Sequence, residues 1–161
     1  MQKILFICHG NICRSPIAEF VLKDMVRKAR IPETVIGEIA SAATSTEEIG
    51  NGVYPPARRI LAEHGISCAG KTARQVTRAD YGRFTHIVGM DRANVRNLRM
   101  LFGGDPEGKC SLLLDHLPAG HPDRGREVAD PWYTGDFEQT WNDVQAGCEA
   151  LLRELAPDRR N

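Results

Sequence analysis

The chain has 161 residues, 42% apolar and 26% charged, enough for one buried core, which excludes disorder along the whole chain. Twenty-one basic residues cancel twenty-one acidic ones, so binding to nucleic acid or an anionic membrane through a global field is excluded as well. Any anionic ligand must be gripped locally.

Lys3–Ile7 is a short apolar run that stops abruptly, the pattern of a buried strand. Ser15-Pro16 then reads as an N-cap and a first helical position. Ala18, Val21, Leu22 and Met25 follow at helical spacing, which predicts a helix to about Lys28. Val35–Ala43 has strand character, Thr44–Pro56 is a loop rich in Gly, Pro and polar residues, and Pro56–His64 is a helix stopped by Gly65. Thr77–Arg83 reads as a short helix, His86–Met90 as a strand, and Asp91–Leu101 as a helix that Asp91 caps. Cys110–Leu114 is a further strand. Asp115–Ala129 holds Pro118, Gly120, Pro122 and Gly125, so a long loop is expected. In the last helix Phe137, Trp141, Val144, Cys148, Leu151 and Leu155 recur at steps of four and three, which makes Trp141 a core residue.

Strands alternating with helices specify an α/β fold: a single small doubly wound domain over residues 1–161, with a four-stranded parallel sheet and helices on both faces. No apolar run approaches a membrane span, and Ile4–Ile7 is too short and too close to Met1 for a signal-peptide core, so a cytoplasmic protein is expected. Five scattered cysteines (Cys8, Cys13, Cys68, Cys110 and Cys148) do not suit a disulfide framework. Cys110 and Cys148 lie in apolar periodic segments and read as packing residues.

Ligands of such sheets bind off the carboxyl ends of strands, and the residue after the first strand is Cys8. Between strand and helix runs Cys8-His9-Gly10-Asn11-Ile12-Cys13-Arg14-Ser15-Pro16. Its backbone N–H groups are free to converge into an anion nest, and the following helix adds its positive end. Gly10 and Asn11 tolerate the positive φ of a tight cradle. Arg14 offers a planar fork for two oxygens of a phosphate-like anion. A cysteine at the floor of that nest is favoured as thiolate, a nucleophile placed beneath a bound phosphoryl group. Ser15 is positioned to hydrogen-bond that sulfur. A buried cysteine beside a glycine turn would account for Cys8 alone, but not for the whole set at one strand-to-helix junction. Cys8, His9 and Cys13 make no zinc set, because no second cluster completes four ligands.

The loop, with Cys, five residues, Arg and then Ser, resembles the protein tyrosine phosphatase signature. Its fuller string, Gly10 to Pro16 directly after an N-terminal strand, resembles the low-molecular-weight protein tyrosine phosphatase family. The likeness continues through Ser41-Ala42-Ala43-Thr44-Ser45, Ala73-Arg74-Gln75, Met90-Asp91 and Asp130-Pro131-Trp132-Tyr133, in family order. It implies hydrolysis of phosphomonoesters through a cysteinyl-phosphate. The substrate would be a phosphotyrosine protein or a small aryl phosphate, the product inorganic phosphate, and neither metal nor cofactor would be needed. Cys8 would be the nucleophile, Arg14 the phosphate fork and Asp130 the general acid, which Pro131 holds extended. Residues His9 to Arg14 would bind phosphate. Asn11, Ser15 and Ser41 would support the loop, and Glu47, Trp132 and Tyr133 would wall the substrate, the two aromatic residues against its ring. Without the loop at Cys8, Asp130-Pro131 reads as an ordinary turn. The likeness also implies a reversible Cys8–Cys13 pair; packing beneath the loop is the other reading of Cys13.

Three positions depart from the family. Glu47 stands where an aromatic residue is frequent at the substrate mouth. Lys71 replaces a histidine of the bracing network, and Ala43 replaces a glycine. Two other functions compete. An arsenate reductase of this fold needs two further relay cysteines, yet His86–Leu101 contains none. A non-catalytic phospho-ligand module would have lost Cys8, Arg14 or Asp130.

Overall fold

In the computed structural model, which describes residues 1–157, the elements run β1 (Gln2–Cys8), α1 (Arg14–Lys28), β2 (Ile36–Ala43), α2 (Pro55–Glu63), α3 (Ala79–Arg83), β3 (His86–Gly89), α4 (Arg92–Phe102), β4 (Cys110–Leu112), α5 (Pro131–Thr134) and α6 (Phe137–Leu155). The strands form one parallel sheet in the order β2-β1-β3-β4. The central strand is buried on both faces, with Ile4, Leu5, Phe6 and Ile7 all at 0% exposure, as a parallel sheet covered by helices requires. Alternation splits them. Ile4, Phe6 and Cys8 join the core under α1, α2 and α6, while Leu5 and Ile7 join the one with Phe84, Ile87 and Leu98. Each such side chain contributes roughly 1.5–3 kcal/mol by leaving water. Trp141 lies in the first core, stacked on His64 at 3.8 Å. Cys148 is wholly buried there, and Cys110 is partly buried against the second core.

The chain steps from β1 to β2 on one side and to β3 on the other. The strand order therefore reverses between β1 and β3, and a crevice opens beyond their carboxyl ends, at Cys8 and at Met90-Asp91.

Four expectations need correction. Helix α1 begins at Arg14 with Cys13 at the cap position, so Ser15 is not an N-cap; its hydroxyl is engaged by the loop below. The fourth strand ends at Leu112, and Leu113–His116 forms a 3-10 turn whose Asp115 carboxylate accepts the Leu112 N–H. Thr44–Pro56 yields its end to α2, which starts at Pro55. Pro131–Thr134 makes a helical turn that Asp130 caps through Trp132 N–H. Asp91 does cap α4, as expected.

Helix α6 approaches the 3-10 turn closely because residue 147 is glycine. A Cβ there would lie 2.5 Å from Leu113 Cγ, and Leu113 is itself fully buried. Gly147→Ala gains about 1 kcal/mol of helix propensity but overpacks a contact that cannot relax, at about 1–3 kcal/mol. Its urea midpoint is expected below that of the wild type. An unchanged or raised midpoint would show that this contact tolerates a methyl group.

Candidate active site

The crevice at the end of β1 is a cleft of about 110 Å³ lined by Cys8, His9, Gly10, Ile12, Cys13, Arg14, Glu47, Glu48, Asp130, Trp132 and Tyr133. The nest expected between strand and helix is therefore the floor of a cleft. Among the described residues, the N–H groups of Gly10, Ile12 and Cys13 donate to no other protein group, and α1 opens directly behind them. Asn11 takes the strained position of the cradle, with φ of 58°. Gly10 does not have positive φ, contrary to expectation. Its bareness serves packing instead, because a Cβ there would meet Glu48 Cγ at 3.4 Å.

Cys8 is 3% exposed, and its Sγ accepts the Asn11 N–H at 3.2 Å. Ser15 Oγ lies 3.0 Å from the same sulfur. The direction of that bond follows from the rest of the network. Asn11 Nδ2 donates to Ser15 Oγ at 2.8 Å and to Ser41 Oγ at 2.9 Å, and Ser41 donates to Glu19 at 2.6 Å. The single hydroxyl proton of Ser15 is thus left to point at Cys8, so two donors face the sulfur. Arg74 N–H fixes the Asn11 carbonyl at 3.2 Å. Asn11, Ser15 and Ser41 are brought together as the sequence implied.

Glu19 is buried behind this brace, paired with Lys23 at 2.6 Å and with Lys71 at 3.4 Å. Lys71 also donates to the Ser41 carbonyl at 2.9 Å, so it belongs to the bracing network. Burial pushes its ammonium down despite Glu19. Ala43 pairs with Cys8 at the end of a run that stays in register from Ile4 and Ile39 onward. Glu19 was missed in the sequence; its only signal was a position four residues after Ser15, on the same face of α1.

Arg14 is 2% exposed. Nη1 donates to Asp91 at 2.8 Å and to the Val128 carbonyl at 3.0 Å, and Nη2 reaches Asp130 at 3.4 Å. Of five guanidinium protons, Nε–H and one on Nη2 remain, an adjacent pair suited to two anion oxygens. Burial works against this charge, yet the Cys8 sulfur, Asp130 and Asp91 together hold it above its ordinary value. The Asp91 carboxylate thus caps α4 with one oxygen and braces Arg14 with the other, a second role that capping alone did not suggest.

Trp132 and Tyr133 form the exposed wall beside Asp130, with Trp132 resting on Tyr54 at 4.9 Å. The lining also holds Glu47, whose carboxylate is 3.1 Å from His9 Nε2, and Glu48, which sequence reasoning missed. Burial, then the charges of Cys8 and Asp130, push the Cys13 thiol up to about 12. Only two of the five cysteines, Cys8 and Cys13, line the cleft. Among the described residues, no helix is long and apolar enough to cross a membrane.

A family model described as low molecular weight phosphotyrosine protein phosphatase matches residues 3–161. The low molecular weight protein-tyrosine-phosphatase YfkJ of Bacillus subtilis is 34% identical over 99% of each chain. Its crystal structure aligns with a TM-score of 0.87 at 36% identity, over 99% of this chain and 98% of that one. The Homo sapiens low molecular weight phosphotyrosine protein phosphatase is 34% identical over 95% of each chain. A low molecular weight protein tyrosine phosphatase from Streptococcus pyogenes aligns with a TM-score of 0.81 at 38% identity, over 96% of this chain and 93% of that one.

Proposed function

The chain belongs to the low molecular weight phosphotyrosine protein phosphatase family, and from that premise we propose that it hydrolyses phosphotyrosine on proteins, and small aryl phosphates, at the cleft over Cys8. One convergence carries this reading: a thiol with two donors, an arginine with two free N–H groups and a carboxylate line the same cleft. One catalytic domain spans the chain, and a cytoplasmic setting suits its five free cysteines.

The loop amides and Arg14 bind the phosphoryl oxygens. Cys8 Sγ attacks phosphorus as the ester P–O bond breaks, and Asp130 gives its proton to the leaving oxygen. Water then attacks the cysteinyl-phosphate, Asp130 accepts the water proton, and the S–P electron pair returns to Cys8. Ser15 and the Asn11 N–H stabilise that departing sulfur, and inorganic phosphate leaves. Arg14 and the amides carry the charge of both transition states, so this reading calls for no metal or cofactor. Trp132 and Tyr133 pack against the substrate ring.

An arsenate reductase remains the runner-up within the fold, but Cys68, Cys110 and Cys148 all lie away from the cleft lining. The deciding assay offers an aryl phosphate in one arm and arsenate with a thiol reductant in the other. Phosphate release without arsenate reduction is expected; arsenate reduction outpacing hydrolysis would overturn the proposal.

Asp130→Asn should lower turnover of poorly leaving alkyl or phenyl groups by roughly 10²–10⁴-fold, the range for a lost general acid. A phenol that leaves easily should be affected far less. Equal losses across a leaving-group series would remove Asp130 from that role.

Cys13 is the proposed partner in reversible oxidation. Peroxide converts the Cys8 thiolate to a sulfenic acid, and the Cys13 thiol displaces water from it to form a disulfide that dithiothreitol reduces. Wild type should recover activity after peroxide and dithiothreitol, whereas Cys13→Ser should recover much less. Equal recovery, with no Cys8–Cys13 linkage in peptide maps, would leave Cys13 as packing.

A further inference from the structure

We propose that Glu47 and Glu48 form a specificity wall that favours phosphotyrosine segments carrying a lysine or arginine beside the phosphorylated residue. This rests on the phosphatase reading and names a substrate class within it. The lining of the cleft mixes two chemistries. Trp132 and Tyr133 give it an aromatic surface, and Glu47 and Glu48 add two carboxylates. Glu47 cannot stack a ring but presents a carboxylate with 68% side-chain exposure.

Both acids are held at the mouth. His9, on the loop that follows Cys8, bonds Glu47 at 3.1 Å. Asn51 Nδ2 donates to Glu48 at 2.6 Å, Asn51 N–H donates to the Glu48 carbonyl at 2.9 Å, and the Glu48 stem lies over Gly10. The Glu48 charge is felt on the loop itself, where it is the smallest of the influences raising the Cys13 thiol, after burial, Cys8 and Asp130.

The charge balance of the lining decides the sign. Among the described residues Arg14 is its one permanent cation, buried and committed to Asp91, Asp130 and, on the phosphatase reading, the phosphoryl group. With a phosphate dianion bound, Arg14 offsets neither Glu47 nor Glu48, and at the rim Glu47 has the His9 imidazole as its bonding partner and Glu48 the neutral Asn51 amide. An acidic residue beside phosphotyrosine meets like charge there, and a basic one meets opposite charge. The pairs are solvent-exposed, so the effect is modest and sensitive to salt.

The test uses three phosphotyrosine peptides, identical except for Lys, Gln or Glu at the positions flanking phosphotyrosine. At low salt, wild-type kcat/KM should fall from Lys through Gln to Glu, by about fivefold overall, the upper end for exposed ion pairs. The spread should shrink at high salt, and it should collapse toward unity in Glu47→Gln/Glu48→Gln. Equal or reversed rates in wild type, or a spread that the double variant retains, would overturn the acidic wall while leaving the phosphatase reading intact. Failure of wild type to turn over any of the three would overturn both.

Discussion

Cys8→Ser is expected to abolish turnover of aryl phosphates, by roughly 10⁴- to 10⁶-fold, the scale on which removal of a catalytic nucleophile is felt. A serine hydroxyl fits the same buried position, and the Asn11 N–H and Ser15 Oγ that face the sulfur at 3.2 and 3.0 Å would face it too. These two donors do not ionise an alcohol. The loop amides and Arg14 are untouched, so the variant should fold and bind inorganic phosphate with an affinity within a few-fold of wild type. Steady-state hydrolysis and phosphate titration read the two halves separately. Turnover near the wild-type rate would remove Cys8 as the nucleophile, and loss of phosphate binding together with turnover would assign it to the architecture of the loop.

Arg14→Lys should cost at least about 10²–10³-fold in kcat/KM, as removal of a transition-state donor does. Arginine performs two tasks in different directions. Nη1 ties the loop to Asp91 and to the Val128 carbonyl, and Nε with Nη2 offers the adjacent pair of N–H groups. An ammonium has three donors on a single atom and cannot brace and clamp at once. Retention of the positive charge makes the comparison informative: a loss that follows geometry rather than charge supports the fork. Near-normal kinetics with weak and strong leaving groups alike would place the phosphate elsewhere.

The segment from Cys8 to Pro16 was legible in the sequence because all of its chemistry is consecutive. A strand ending at Ile7 and a helix beginning near Ser15 left little freedom for what lies between. Asp130 was legible only through family resemblance, since it lies 116 residues from Arg14 in the chain and no local pattern links the two. Separations of 114 and 77 residues likewise hid the Val128 carbonyl and the second oxygen of Asp91. Ser15 was misjudged as an N-cap because Ser-Pro carries that signal strongly, whereas its hydroxyl is taken by Cys8 and Asn11 instead. The Gly10 expectation failed for a related reason: composition marks a residue as permissive of positive φ, but Asn11 takes the φ and Glu48 takes the space over Gly10. Among the helices, α6 was read almost to its ends because its apolar stripe spans five turns. Pro131–Thr134 is too short to carry any period, and it forms because Asp130 caps it.

The most direct measurement is to trap the covalent intermediate. Asp130→Asn slows attack of water on the cysteinyl-phosphate as well as protonation of the leaving group. An aryl phosphate with a good leaving group should therefore load the enzyme faster than water unloads it. Rapid quenching and intact-protein mass spectrometry should find one added phosphoryl group, and peptide mapping should place it on Cys8. A phosphoryl group on another residue, or substrate turnover with no phosphoenzyme under these conditions and no burst of phenol, would contradict a cysteinyl-phosphate route through Cys8.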